Sequence, residues 1–252
     1  MKMNTQEESL KLHEKHKGKL EVRSKLPLET RKDLSLAYTP GVAEPCRHIA
    51  KNKEDVYKYT FKSNTVAVVS DGSSVLGLGN IGAEASLPVM EGKSILFKEF
   101  ANIDAFPICL QTQDIKKTIE TVKNIAPVFG GINLEDIKAP ECFEIEEALQ
   151  NIGITVMHDD QHGTAVVVLA ALINSLKVTK KSNPIIVING AGAAGIAVAK
   201  LLLSYGLKKI ILCDSQGVVY QGRSNSNKYK EEVVKKANKH NVKGSLSDAL
   251  KN

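Results

Sequence analysis

The stretch "PIIVINGAGAAGIAVAKLLLSYG" (184–206) narrows the possible folds more than any other part of the chain. Six residues rich in β-branched side chains run without a break into Gly190-Ala191-Gly192-Ala193-Ala194-Gly195, and an apolar helical stretch follows at once. A glycine loop between strand and helix lets the backbone approach a diphosphate, which the first amides of the helix then hold. The next apolar run, "KIILCD" (209–214), ends on Asp214, at the spacing expected for an acid that contacts a ribose. Gly190, Gly192, Ala193, Ala194, Gly195 and Asp214 are therefore the expected dinucleotide-binding residues of a Rossmann-like unit. An acid in that place favours NAD over NADP, because it repels a 2′-phosphate. No Arg or Lys adjoins Asp214, although Arg223 or a lysine could still reach such a phosphate.

A second match, Gly77-Leu-Gly79-Asn-Ile-Gly82, lacks this setting. "DGSSVL" separates it from the apolar run "TVAVVS" (65–70), and Pro88 interrupts the helix that should follow, although Glu99 offers a downstream acid. This loop is assigned to another site. Around it, residues 65–153 alternate apolar runs with helical stretches. "TVAVVS", "SILFKE" (94–99) and "APVFGGINLE" (126–135) read as buried strands, and 113–125 as an amphipathic helix with Ile115, Ile119 and Val122 on one face. Residues 5–17 read as a charged helix ended by Gly18, 164–178 as a buried helix and 228–240 as a lysine-rich one. Such alternation predicts an α/β fold with mostly parallel sheets. Two α/β domains are expected, 1–155 and 156–252.

Two acid pairs, Glu135–Asp136 and Asp159–Asp160, each stand at the end of an apolar stretch. Packed carboxylates raise one another's pKa unless a cation lies between them, and several such oxygens suit Mg²⁺ or Mn²⁺. Helix capping with solvation is the alternative explanation of each pair on spacing alone. His158 and His162, four apart, offer a zinc site of only two imidazoles.

A formal net charge of +6 with 5% aromatic residues and no Trp gives little for bases to stack on, so nucleic acid is not the expected partner; a small anionic substrate suits the charge. Cys46, Cys109, Cys142 and Cys213 form no CxxC pair, which points to a reduced, cytoplasmic protein. No signal peptide is expected from the polar N-terminus, and the longest apolar stretch, 165–173, is too short for a membrane span.

Four blocks, "LSLAYTPGVAEPC" (34–46), "SDGSSVLGLGNIGAEASLPVMEGK" (70–93), "GGINLEDIKAPECFEIE" (130–146) and "HDDQHGTA" (158–165), resemble those of the malic enzymes in their smaller bacterial form, in the same order. The resemblance covers the chain from about residue 20 to its last residues. It implies Glu135, Asp136 and Asp160 as ligands of Mg²⁺ or Mn²⁺, Lys93 as catalytic lysine and Tyr38 as catalytic tyrosine. It also implies Asp159 as an acid beside Lys93 or the metal, "GAGAAG" as the NAD (or NADP) loop, and a homodimer. The implied reaction converts (S)-malate to pyruvate and CO₂; a malolactic enzyme uses the same site and releases lactate.

Two departures qualify the likeness. Ser73 and Ser74 stand where larger members carry an arginine after "DG", so the group that binds the substrate carboxylate is not identified. Family members also continue well past "SLSDALKN", so the dinucleotide domain is expected to be incomplete. A catalytically silent chain that keeps dimerisation and cofactor binding is the corresponding alternative. A plain 2-hydroxyacid dehydrogenase would not need the carboxylate cluster.

Overall fold

Thr65–Ser70 (β1) is buried at all but one position, as a strand covered on both faces must be. The computed structural model describes residues 4–182, 184–224, 226–238 and 241–251. Four helices precede β1: α1 (Thr5–His16), α2 (Arg31–Ala37), α3 (Ala43–Lys51) and the single turn α4 (Val56–Tyr59). Lys62 anchors the entry to β1. Its buried ammonium donates to the carbonyls of Ala126, Pro127 and Phe129 at 3.1, 3.0 and 2.6 Å, so a buried charge is satisfied by backbone.

β1 pairs in parallel with β2 (Asp104–Cys109) and β3 (Gly131–Leu134), and β3 with β4 (Thr155–His158), giving the order β2-β1-β3-β4. The crossovers carry α5 (Gly82–Ala101), α6 (Ile115–Ile125) and α7 (Glu141–Leu149). A second sheet follows α8 (Asp159–Thr179): β5 (Ile186–Asn189) is parallel to β6 (Ile210–Asp214), and the two-residue β7 (Gly217–Val218) turns back antiparallel. Between β5 and β6 runs α9 (Ala193–Ser204); α10 (Lys228–Ala237) and α11 (Leu246–Leu250) follow. One apolar core joins the two sheets, from Ile132, Leu134 and Leu149 to Ile196, Leu202 and Leu212. The rings of Phe143 and Tyr229 meet across it at 4.4 Å.

The α/β class and the parallel sheets agree with the sequence pattern, but three local readings do not. "SILFKE" is helix, not strand: it lies in α5, whose buried residues Ala83, Ser86, Met90 and Ser94 recur at three- and four-residue steps. A six-residue apolar window cannot separate the two periods. Pro88 sits inside α5 without ending it. Of 126–135 only Gly131–Leu134 is strand, since Ala126–Val128 forms a 3₁₀ turn around Pro127. Two members of the sheet were not expected, β4 and β2; Pro107 hid β2, an edge strand, where a residue without an N–H is tolerated. The helix expected over 228–240 ends at Ala237, and residues 239–240 lie outside the described residues.

By length and composition alone α8, at 21 residues, is the one described helix apolar and long enough to cross a membrane, longer than the apolar run had indicated. It opens on Asp159 and Asp160 and packs along α9. The helix expected to be buried over 164–178 is not: only Gln161 and Ala165 of α8 are buried, and Val166 and Val167 are 60% and 63% exposed.

Candidate active site

Register brings the acids together. Val69 on β1 lies beside Leu134 on β3, which lies beside His158 on β4, so the residues after each strand gather at one carboxyl-terminal sheet edge. In parallel α/β sheets that edge is where ligands bind. Glu135 and Asp136 follow β3 and are each 5% exposed; Asp160 opens α8. One oxygen from each lies within 4.8 Å of the others, and this is the one group of three or more potential metal-ligating side chains among the described residues.

The backbone supports this cluster at several points. Asp136 adopts φ +53°, a left-handed conformation that costs free energy in a non-glycine residue and recurs at functional sites. Its N–H donates to Asp160 Oδ2 at 3.0 Å. Asn133, fully inside the sheet, donates from Nδ2 to Glu135 Oε2 at 2.8 Å. Burial is the largest influence on Glu135 and lifts its carboxyl to about 7, although Lys93 and Asn133 pull it down. Asp136 rises to about 6, through burial and the neighbouring Asp160. Two buried carboxylates that resist ionisation, with a third beside them, form a donor set suited to a hard divalent cation, so these residues fit Mg²⁺ or Mn²⁺.

Lys93 reaches the cluster from α5. Its Nζ lies 2.9 Å from Glu135 Oε1 and 2.7 Å from Asp159 Oδ2. Burial alone would lower its pKa, but Asp159 and Glu135 outweigh burial and hold the ammonium above its ordinary range. Here Lys93 is the counter-cation of the acids. Gly163, one turn after Asp159, leaves room for this arrangement: a Cβ at 163 would run into the Asp159 carboxylate.

The histidines take other partners. His162 Nε2 contacts Glu146 Oε1 at 2.7 Å, and the same buried Glu146 accepts from the His158 N–H at 3.1 Å and Gln161 Nε2 at 2.9 Å. His158 is fully buried, kept neutral chiefly by burial, with Nε2 3.3 Å from Asp160 Oδ2. The two imidazoles therefore do not share a metal position. Tyr38 is not brought to the cluster: it caps α2, is 66% exposed, and no hydrogen bond or ion pair joins it to these residues.

The first glycine loop faces this site. Ser74 N–H donates to the Asp136 carbonyl and Ser73 Oγ accepts from the Lys138 N–H, both at 2.9 Å. Gly77, Gly79 and Gly82 have φ of +77°, +76° and +78°, and Val75–Gly79 closes a tight turn.

The second glycine loop has the geometry of a diphosphate cradle. Gly190 has φ +130°, and its N–H donates to the Cys213 carbonyl at 2.9 Å, which holds the loop beside the end of β6. At Gly195 a Cβ would strike the Gly190 carbonyl oxygen, whereas at Gly192 it would meet nothing. Gly195 thus permits close helix–strand packing, and Gly192 leaves open the space an incoming phosphate needs. Ala193 and Ala194 open α9, so their amides point that way. A groove of about 550 Å³ runs from Leu172 and Ile186 to this loop along the open edge of β5.

Residues 17–150 match the family described as malic enzyme, N-terminal domain, and residues 161–252 match malic enzyme, NAD binding domain. The chain belongs to the malic enzyme family. It is 57% identical over 252 residues to the bifunctional malic/malolactic enzyme of Bacillus subtilis, a match that takes in 98% of this chain and 62% of that protein. It is 56% identical to the NAD-dependent malic enzyme of Geobacillus stearothermophilus, with 92% of this chain and 49% of that one covered. The NADP-dependent malic enzyme of Escherichia coli is also 56% identical, over 82% of this chain and 28% of its own length. The crystal structure of the NAD-dependent malic enzyme from Thermotoga maritima superimposes with a TM-score of 0.92 at 48% identity, covering 99% of this chain and 69% of that one. The chain thus spans roughly half to two thirds of the B. subtilis, G. stearothermophilus and T. maritima proteins, and 28% of the E. coli one.

Sequence reasoning missed Glu146 and Asn133, and it named Arg223 near Asp214 without pairing it or Lys230 to that carboxylate. None carries a local spacing signal; each acts through contacts with residues distant in the chain or in the adjoining turn.

Proposed function

We propose that this chain carries the catalytic, metal and coenzyme elements of an NAD(P)-dependent malic enzyme, which oxidatively decarboxylates (S)-malate to pyruvate and CO₂. The observation that carries this reading is the meeting of Lys93 with Glu135, Asp136, Asp159 and Asp160 at one sheet edge. Residues 1–155 would bind substrate and metal, and 156–252 the coenzyme. Glu135, Asp136 and Asp160 would hold Mg²⁺ or Mn²⁺, and Gly190, Gly192, Ala193, Ala194 and Gly195 the diphosphate of NAD or NADP.

When bound, the cation supplies Lewis-acid polarisation of substrate oxygens, and the nicotinamide accepts hydride. Lys93 Nζ takes the proton of the C2 hydroxyl. For that it must first lose its own, and Asp159 at 2.7 Å is the adjoining acceptor. Tyr38, which no hydrogen bond or ion pair joins to the cluster in this chain, would give the proton to C3 after CO₂ leaves only if it is brought to the substrate. Glu146 and Asn133 keep the acid-bearing segments in place.

Burial of Glu135 and Asp136, with Lys93 half-buried against them, limits competing water on this proton path. A homodimer fits the exposed apolar side chains of the N-terminal segment, including Leu26, Leu28 and Leu36, each at least 60% exposed. Four free cysteines accord with a reducing cytoplasm.

The test is a product assay on the purified chain with malate, Mn²⁺ and each coenzyme. Metal-dependent formation of reduced coenzyme with equimolar pyruvate supports the reading; a folded chain that binds Mn²⁺ and coenzyme but forms no product overturns it in favour of a silent binding protein. The B. subtilis relative's bifunctional name favours malolactic turnover as the second reading, recognised by lactate in place of reduced coenzyme.

A further inference from the structure

The second sheet has its glycine loop at one end and a set of lysines at the other. β5 and β6 run parallel with Ile186 beside Ile210, and the Ile186 N–H donates to the Lys209 carbonyl at 2.8 Å, so the two strands start together. α8 leads into β5 and α9 into β6, so both helices also end on this side. Lys177 lies in the last turn of α8, Lys180 caps it and Lys181 follows; Lys208 and Lys209 stand between α9 and β6. All five are exposed, and none enters an ion pair among the described residues.

Nothing nearby in the chain balances this charge. Residues 161–213 hold six lysines and no aspartate or glutamate, and the sixth, Lys200, pairs with Glu232 at 3.0 Å. The two helix ends supply about half a negative charge each, which leaves roughly four of the five positive charges uncompensated. Asp248, the one acid on the adjoining α11, already has Lys251 at 3.7 Å. Apolar side chains stand among the lysines: Val178 is 82%, Tyr205 53% and Ile185 43% exposed.

Lysines interleaved with exposed apolar groups suit an anionic bilayer, where ammonium groups meet the headgroups and apolar tips and tyrosine enter the interface. Single-stranded RNA calls instead for arginine and stacking rings, and residues 177–209 hold no arginine and one tyrosine. We propose that this end of the second sheet is a docking surface for an anionic phospholipid membrane. The chain rests on the headgroups and does not span the bilayer. The glycine loop lies at the opposite end of β5, so it stays open to solvent while the chain is docked.

Co-sedimentation of the purified chain with phosphatidylcholine vesicles, with and without phosphatidylserine, tests this and needs neither metal nor coenzyme. Binding is expected only with phosphatidylserine and is expected to fall as salt rises. Each lysine at such a surface contributes roughly a fivefold factor, so joint Lys180→Gln and Lys181→Gln substitution should weaken binding about 25-fold. Val178→Ser should weaken it at unchanged charge. Joint Lys116→Gln and Lys117→Gln substitution, at two exposed lysines of α6, should leave it within about twofold. No binding at low salt, equal binding to both kinds of vesicle, or an equal loss from the α6 pair overturns the proposal. Tighter binding to single-stranded RNA than to the anionic vesicles overturns it too.

Discussion

The backbone N–H of Asp136 donates to the side chain of Asp160 at 3.0 Å, across 24 residues of sequence. This bond links the turn after β3 to the first turn of α8 and sets the two acids side by side. Burial, with repulsion from Asp160, is what raises Asp136. A carboxylate held this way by backbone is pre-positioned for a cation, and the energetic cost of the cluster is released when one binds.

Asp160→Asn should therefore weaken Mn²⁺ binding by more than the about 10–100-fold that loss of an outer partner usually costs. Titration of Mn²⁺ by electron spin resonance measures it. Unchanged affinity would remove Asp160 from the metal set.

The metal-free chain should lose stability as pH rises. Glu135 moves from 4.5 unfolded to about 7 folded, and Asp136 from 3.8 to about 6, so the folded chain binds more protons than the unfolded chain between these values. Stability from these groups is fully present below about pH 4 and is lost as pH passes through about 6 and 7. Thermal melts from pH 5 to 8 should fall without metal and flatten with saturating Mn²⁺. A metal-free melting temperature that rises over that window would contradict the burial argument.

Lys93→Ala should abolish malate oxidation while leaving coenzyme binding intact, because the lysine contacts only the acid cluster. It should also push Glu135 still higher, since the ion pair that opposes burial is gone. Carboxyl-resolved NMR titration reads the second effect, and retained oxidation would exclude Lys93 as the base.

Two glycines in one loop should fail differently. Gly192→Val should weaken binding of NAD(H) or NADP(H) in a chain that still folds, since its side chain would enter open space. Gly195→Ala should destabilise the fold by at least about 2 kcal/mol, because its Cβ meets the Gly190 carbonyl. Chemical denaturation paired with coenzyme titration separates the two; equal stability losses would show that the loop has no reserved phosphate space.

The parallel α/β class, the strand–glycine loop–helix and the residue types of the acid pairs were legible because each rests on local periodicity or contiguous spacing. The edge strand β2 was not, since Pro107 removes the usual strand signal, and α5 was misread where its apolar residues run together. At the site, "HDDQHG" shows the acids but not their division of labour. In the structure Asp159 contacts Lys93 while Asp160 accepts from Asp136, and Glu146 accounts for His162.

Sequence by itself determined which residues could bind a cation, a diphosphate and a proton in this protein, because side-chain chemistry and strand–loop–helix spacing are local properties. Tertiary structure decided which of them meet. Parallel register of β1, β3 and β4 converges acids 24 residues apart, and Gly163 admits the Asp159 side chain that pairs with Lys93. The fold likewise places Arg223 and Lys230 against Asp214. Such effects depend on distance and burial, and neither is a property of a residue's place in the chain.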